Sequence, residues 1–235
     1  MKQALYLFMI CFSLIPIFGD EVEVVTFVQG KANLIGKKTN TAIKINQVLK
    51  KGDTIKTEDG ACEIQLATLA TVRMEKFSSL SLDDILNPKS KQTNVRLLSG
   101  KLFIKAHKHN NGGSQKLIVS APSYVAGVRG TEFIVASPDE GGVNTELTLP
   151  DGVYVNEGTV AVIAEDKKEV VVNANEEVVL NGKELKKQIL EQYVKEKMQI
   201  FEKLTQMKEE NYNLIKDQFQ KNQQLLDDMR GKKDL

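Results

Sequence analysis

Few side chains in this 235-residue sequence have a type and spacing that suit chemistry, and the two histidines are the first candidates. His107 and His109 are separated by one residue, so both project to the same side of an extended segment, where they could share a metal ion. A stable metal site needs further ligands, and no cysteine or carboxylate stands near this pair in the sequence. We therefore expect residues 107–114 to form a polar, Gly-rich surface loop, and we predict no metal site.

The other reactive residues are a cysteine and scattered pairs of acids. Cys62 begins the alternating segment CEIQL, which predicts a buried thiol that packs like a small apolar side chain. Asp83–Asp84 and Asp139–Glu140 stand in turn-like contexts, where acids usually cap turns or face water. The sequence also lacks phosphate-cradling glycine loops, metalloprotease and nucleophile-elbow motifs, and clustered cysteines. We predict neither an enzyme nor a bound cofactor.

Arg129 is a charged residue within an otherwise apolar segment, LIVSAPSYVAGVRGTEFIV. Strand spacing places it on the same face as Val125 and Phe133, so its guanidinium would point at or near the core. A buried guanidinium needs a carboxylate or backbone carbonyls around it. Arg129 could therefore bind an anionic ligand, or it could lock the fold by bonding carbonyls or an acid such as Glu157 or Glu63. The structural role is favoured, because no second basic or phosphate-cradling element accompanies it.

The same segment, residues 117–135, predicts a strand, a bend and a second strand. Pro122 lacks an amide hydrogen and suits the bend better than a central ladder. Gly127 and Gly130 suit positions of positive φ or of close approach by another strand.

Residues 21–180 have a β pattern throughout. Short segments rich in Val, Ile, Thr and Leu alternate with turns that contain Gly, Asn or Asp, at spacings near those of all-β folds. No stretch here has a helical period, which disfavours βαβ units. We predict a mainly β fold, either an antiparallel sandwich or jelly roll or a short β-solenoid.

The composition changes after Asn181–Gly182. Residues 183–230 contain neither Gly nor Pro and are rich in Glu, Lys, Gln and Leu, so we predict one long C-terminal helix of about 72 Å. Polar residues interrupt its apolar stripe, so a long coiled coil is only one option. A helix of this length cannot bury its whole stripe on one small β domain, so part of it meets another copy, another protein or water. The alternative is that the first half packs on the β domain and the rest is a solvated, fraying tail. The predicted partner face consists of Leu190, Val194, Met198, Phe201, Leu204, Ile215 and Phe219.

The first nineteen residues predict an export signal. Lys2 is followed by an apolar run from Ala4 to Phe18, and Gly19 is a small residue suited to cleavage. The run is shorter than the roughly 20 residues of a membrane-spanning helix, so we expect cleavage and no membrane span afterwards, with a retained anchor as the alternative. The mature protein is then periplasmic or otherwise extracytoplasmic.

The net charge of +1 argues against nucleic acid or a membrane surface as the main partner. The absence of Trp and the 6% aromatic content disfavour sugar-stacking platforms. Self-association through residues 185–230 of the predicted helix is a further possibility.

Three segments of the chain resemble the signature of the FecR domain family. VSAPSYVAGVRGTEFIV contains the family's Val-Arg-Gly-Thr step followed by an aromatic residue, while LKKGDTIKTEDGACEIQL and VRLLSGKLFI resemble two earlier elements in the same order. The matching residues are Val128, Arg129, Gly130, Thr131, Phe133, Gly52, Asp53 and Gly100. The resemblance covers roughly residues 22–160 and implies a FecR-like β domain, which we place at 20–182. It lies between the signal peptide predicted at 1–19 and the helix predicted at 183–235.

What the resemblance implies is an extracytoplasmic domain. In better-known members it follows a cytoplasmic anti-sigma segment and a transmembrane helix, and it relays the state of an outer-membrane iron-siderophore receptor. Only three residues precede the apolar run here, so we expect no anti-sigma segment. The first hypothesis is a non-catalytic envelope binding or scaffold module, whose partner would be a protein or polymer of the cell envelope and which acts through its β domain and helix. The alternative is a sensory or regulatory component of such receptor signalling.

Overall fold

The computed structural model describes residues 22–36, 40–87, 92–107, 116–128, 130–138 and 149–231. The predicted export signal, His109, Arg129 and Asp139–Glu140 lie outside these residues, as does most of the loop predicted at 107–114.

Seventeen strands and one helix follow one another along the described chain. They are β1 (Glu23–Gln29), β2 (Ala32–Ile35), β3 (Asn40–Ala42), β4 (Val48–Leu49), β5 (Thr54–Thr57), β6 (Ala61–Leu66), β7 (Ala70–Met74), β8 (Ser79–Asn87), β9 (Gln92–Ala106), β10 (Lys116–Ser120), β11 (Tyr124–Val128), β12 (Glu132–Ser137), β13 (Gly152–Glu157), β14 (Thr159–Ala164), β15 (Glu169–Asn173), β16 (Glu176–Asn181), β17 (Glu184–Ile189) and α1 (Gln192–Gly231). The predicted mainly β fold with one long C-terminal helix is confirmed.

The strands form two sheets that share β9. The helix-bearing sheet has the order β4-β1-β6-β7-β9-β12-β13-β16-β17, and the opposite sheet has the order β3-β2-β5-β8-β9-β10-β11-β14-β15. The first half of β9 pairs in the opposite sheet and the second half in the helix-bearing sheet. The arrangement is open and mixed, because β9 and β10 pair in parallel whereas the other pairs are antiparallel.

The inner faces of the two sheets share one core, which corresponds to the sandwich among the predicted alternatives. In β6, the alternating sequence buries Cys62, Ile64 and Leu66 and leaves the residues between them half-exposed. β12 is buried on both faces, because Ile134 and Ala136 lie beneath the helix while their neighbours face the core.

Tyr124 links the two sheets through their shared core. It belongs to β11 of the opposite sheet, and its hydroxyl lies 2.5 Å from the carbonyl oxygen of Ala136 and 2.7 Å from that of Gly152, both in the helix-bearing sheet. Complete burial raises the pKa of this phenol well above its usual value, so it remains a neutral donor. The bond fixes the spacing of the two layers at this point.

The predicted start of the helix at residue 183 is wrong. Residues Glu184–Ile189 form β17, which pairs with β16 through a hairpin whose turn contains Gly182 at a φ of +64°. The Lys- and Glu-rich composition is typical of helices, but the backbone pairing with β16 overrides that propensity on an exposed edge. The β domain therefore extends to residue 189, and α1 has 40 residues and a length of about 60 Å.

Candidate interaction surface

The first half of α1 docks on the outer face of the helix-bearing sheet. Val194 and Met198 are buried there together with Leu190, which precedes the helix. Phe201 lies against Phe103, with ring centroids 5.1 Å apart. The sheet residues beneath the helix are Phe103, Ile134, Ala136, Leu149 and Tyr154. These contacts form a second, smaller apolar core outside the sandwich.

Polar contacts fix where the docked segment begins. The buried Glu177 of β16 accepts a hydrogen bond from the backbone N–H of Glu191, with an O···N distance of 3.1 Å. It also accepts one from the side-chain amide of Gln188, at 2.6 Å. Lys197 of α1 then pairs with Glu75 at 2.9 Å. An acceptor at this position satisfies one of the amide groups near the start of the helix.

A charged cluster fixes where the docked segment ends. Lys208 lies 2.8 Å from the carboxylate of Glu63, which is also 3.6 Å from the guanidinium of Arg73. Arg73 lies between two aromatic rings, 5.3 Å from the centroid of Phe27 and 5.4 Å from that of Phe201. Arg73 and Glu63 are largely buried, so their attraction is screened less than that of an exposed pair.

The docked segment therefore crosses the sheet from β16 to β6 and β1. Residues 191–208 of a helix extend about 26 Å, and the five strand-to-strand steps from β16 to β6 span about 24 Å. Lys208 lies over the ring of Phe27 in β1, and β1 is the edge strand at this level because β4 pairs only with Glu23 and Val24. Residues 209–231 continue the helix for about 34 Å. Within the described part of this segment, every side chain is exposed.

The predicted partner face of the helix divides into two parts. Leu190, Val194, Met198 and Phe201 pack on the sheet. Leu204, Ile215 and Phe219 are 40%, 70% and 62% exposed, respectively. The exposed apolar side chains of the free half are Leu214, Ile215, Phe219, Leu225, Leu226 and Met229. We call residues 209–231 the free arm.

The described residues around Arg129 have structural roles. Val128 and Phe133 are buried in the sandwich core, and Gly130 has a φ of +60°. Thr131 bonds Thr159 twice through its hydroxyl, which lies 3.0 Å from the Thr159 carbonyl oxygen and 3.3 Å from its backbone nitrogen. The turn at 130–131 is thereby fixed against the turn before β14.

The strand alternation predicted through Arg129 does not continue across this turn. Val125 is 41% exposed on the outer face of the opposite sheet, whereas Phe133 is fully buried. The positive φ of Gly130 breaks the alternation between them, so the two do not share a face. Gly127 has neither of the predicted features, since its φ is not positive and an added Cβ would approach nothing closer than 3.9 Å. The role of Arg129 itself stays a prediction.

Gly52, Asp53 and Gly100 shape the backbone where segments turn or cross. Gly52 has a φ of +88°, and the Asp53 carboxylate accepts the N–H of Lys50 at 2.8 Å, which closes that turn. Gly100 has a φ of +86° at the point where β9 leaves one sheet for the other. Ser78 lies directly against it and bonds the backbone of Lys101.

A small cleft lies between α1 and the helix-bearing sheet, beside Arg73. It has a volume of about 90 Å³, and its lining includes Glu63, Lys105 and Lys208. Lys208 and Arg73 both pair with Glu63, so the charges in this cleft hold the helix in place.

Glu132 is a buried acid near this cleft. Its carboxylate accepts the side-chain amide of Asn156 at 3.2 Å and lies 3.9 Å from the Lys105 ammonium. Burial raises its pKa, and these two contacts oppose the shift.

The residues first considered for chemistry do not converge in the described chain. Cys62 is fully buried, and this burial raises the pKa of its thiol to about 12. His107 is described at the end of β9, where its backbone N–H donates to the Leu69 carbonyl. Among the described residues, no three His, Cys, Asp or Glu side chains are grouped as metal ligands.

Sequence reasoning missed the contacts of Arg73 and Lys208. A detectable signal was the charge in the β7 sequence ATVRM, where alternation places Arg73 on the outer face directly across from Glu63 of β6. The helix residue that would complete the cluster could not be identified, because the crossing direction of α1 is set by tertiary packing.

No helix in the described part of the chain combines the length and apolar character needed to cross a bilayer.

Comparison with known proteins finds one family model that matches part of the chain. The family model described as FecR protein matches residues 53–161. No curated protein matches the chain. Two crystal structures of a candidate anti-sigma factor from Parabacteroides distasonis ATCC 8503 are similar, with 18% and 17% sequence identity and TM-scores of 0.48 and 0.47. They cover 59% and 58% of this chain, and the matched region spans 60% and 58% of those chains.

Proposed function

We propose that this chain, which carries a FecR domain at residues 53–161, is a non-catalytic extracytoplasmic module that binds a protein or polymer of the cell envelope. The β domain serves as a rigid platform, and the free arm of α1 serves as the extended binding element. The observation that carries this proposal is the division of one helix into a docked half and an exposed half of similar apolar content.

The free arm leaves a large apolar surface in water. Six of its apolar side chains are 51–70% exposed. Fully burying an exposed side chain of this kind contributes about 1.5–3 kcal/mol, so covering the exposed part of each contributes roughly half of that. Contiguous apolar surface of this size commonly marks an interaction site. A partner that covers the arm would therefore gain a substantial hydrophobic contribution.

Contacts at both ends of the docked segment hold the helix in one orientation on the β domain. Glu177 at one end of the docked segment and the Glu63 cluster at the other hold the helix against the sheet. This anchoring supports a binding role, because an element held in one geometry loses less entropy when it meets a partner.

A second candidate function is a sensory or regulatory component of iron-siderophore receptor signalling, of the sigma and anti-sigma type. The FecR match favours it. Deletion of the gene would then change transcription of iron-uptake genes, whereas a purely structural envelope module would leave that transcription unchanged.

The direct test compares the full chain with a chain ending after Glu210. This truncation retains β17 and the Lys208–Glu63 contact, whereas truncation at Gly182 would remove both. We expect crosslinking in intact cells, followed by mass spectrometry, to recover an envelope partner from the full chain and to lose it after truncation. Thermal unfolding of both chains provides the control for folding. Equal recovery of the same partner would show that the free arm is not the binding element.

A further inference from the structure

The exposed side of α1 presents a regular stripe that lies outside the docking contacts except at Leu204, which lines the cleft beside Arg73. Its members follow one another in steps of three or four residues and therefore lie along one side of the helix. They are Leu204, Met207, Asn211, Leu214, Gln218, Asn222, Leu225 and Met229. The stripe lies roughly a third of a turn around the helix from Val194 and Met198, so docking on the sheet leaves it uncovered. The apolar members are 40–67% exposed.

We infer that the free arm pairs with the free arm of a second copy of this chain, in parallel and in register. The inference deepens the proposed function and rests on it, since it names a partner for the same surface. Three amides, Asn211, Gln218 and Asn222, interrupt the apolar members. Within the chain, Gln218 donates to the Oδ1 of Asn222 at 3.3 Å. Because a side-chain amide both donates and accepts hydrogen bonds, an identical amide on a second copy satisfies the remaining donors and acceptors. Asn at an interior position of a helix pair is a known determinant of register and of two-stranded assembly.

The orientation follows from where the amides meet. In a parallel pair in register, each of the three faces its own copy. In an antiparallel pair centred on Gln218, Asn211 faces Leu225 and Asn222 faces Leu214. In an antiparallel pair that matches Asn211 with Asn222, Gln218 faces Ile215 instead. The parallel pair alone among these places every amide against an amide.

A lipid surface fits this stripe poorly. Helices that lie in a bilayer interface place apolar residues inward and basic residues around them. Here the inward side would bury three amides, and residues 209–231 carry five acidic and three basic side chains, a net charge of −2. The arm therefore has no electrostatic attraction to anionic lipid.

The size of the stripe suits a reversible dimer. If the stripe residues Met207, Leu214, Leu225 and Met229 and the flanking Ile215 and Leu226 each bury roughly 80 Å², two copies bury about 1,000 Å² in total. This lies at the lower limit of specific protein interfaces. We therefore expect a dimer that dissociates on dilution.

Cysteine crosslinking of the full chain tests the pairing and its orientation. Leu225→Cys places a thiol in the stripe, and Gln220→Cys places one on the opposite side of the free arm as the matched control. Both parent residues are exposed, so neither substitution disturbs the docked contacts. The parent chain, which retains Cys62, supplies the background under the same oxidant.

We expect Leu225→Cys to give at least fivefold more disulfide-linked dimer than Gln220→Cys on a non-reducing gel. Co-expression of two differently tagged copies should yield a product that carries both tags. Equal yields from the two variants would overturn the inference. So would a lack of Leu225→Cys dimer, because in either antiparallel pair residue 225 lies about 20 Å or more from its copy. If self-pairing fails while truncation after Glu210 still loses an envelope partner, the inference is wrong and the proposed function stands.

Discussion

The substitution Gly100→Ala tests how β9 serves two sheets. Gly100 stands where β9 crosses from the opposite sheet to the helix-bearing sheet, with a φ of +86°. An added Cβ would lie 2.5 Å from the Cα of Ser78 and 2.7 Å from the carbonyl oxygen of Phe77. Both are backbone atoms, so the clash cannot be relieved by rotating a side chain.

Two separate costs determine the expected size of the effect. Holding a residue other than glycine in the left-handed region costs about 1 kcal/mol or more. Overpacking against a rigid neighbour adds about 1–3 kcal/mol. Gly52→Ala separates the two, because Gly52 has a φ of +88° and an added Cβ would meet nothing within 4 Å. We expect about 1 kcal/mol of destabilisation for Gly52→Ala and about 2–4 kcal/mol for Gly100→Ala.

Urea unfolding at equilibrium, followed by circular dichroism, measures both free energies of unfolding. The diagnostic quantity is the difference between the two variants, because the backbone cost is common to both. If Gly100→Ala is no less stable than Gly52→Ala, the close packing of β9 on Ser78 does not constrain the crossing, and β9 does not need a glycine at residue 100 to pair in both sheets.

Three further predictions concern the docked helix and two buried groups. Met198→Ala should lower the free energy of unfolding by about 2–5 kcal/mol, because Met198 is fully buried. Ile200→Ala, at a 60% exposed position, should change it by less than about 0.5 kcal/mol. Urea unfolding of both variants measures the two values. The Cys62 thiol should not react with a maleimide at pH 8 until the chain unfolds, because it is buried and its pKa is raised to about 12; mass spectrometry with and without denaturant measures the labelling. Burial raises the pKa of Glu132 above its unfolded value, so its contribution to stability is fully present below the unfolded pKa and is lost as pH rises through the folded pKa. Glu132→Gln should therefore reduce the loss of stability between pH 4 and pH 7. Urea unfolding at a series of pH values measures this change.

The sequence predicts the β domain well where local patterns decide the structure. The alternation in residues 61–66 places Cys62 and Ile64 in the core, as the structure shows. The turn at Lys51–Asp53 is present, with Gly52 at positive φ. These features depend on neighbouring residues alone, so they can be read from a single sequence.

The features that could not be predicted depend on distant contacts. Residues 184–189 have a helix-like composition, but their pairing with β16 makes them a strand. The strand alternation through residues 125–133 predicted that Val125 and Phe133 lie on the same face, but the positive φ of Gly130 breaks the alternation and places them on different faces. The apolar stripe of the helix can be identified from the sequence, but the residue at which docking ends cannot. That residue depends on the width of the helix-bearing sheet, and the sequence does not determine the order of its strands.

The width of the helix-bearing sheet explains why one part of the amphipathic helix docks on the sheet and the other part remains exposed. The docked segment begins at the Glu177–Glu191 contact on β16 and ends at the Lys208–Glu63 contact on β6, a distance that matches the spacing of the intervening strands. Near Phe27 no described strand pairs beyond β1, since β4 pairs only with Glu23 and Val24, so a longer helix must leave the sheet there. Widening or narrowing the sheet would move the point of departure, whereas lengthening the helix would only lengthen the free arm. The sheet therefore determines where the arm begins and in which direction it extends, and the sequence of residues 209–231 alone determines what the arm can bind.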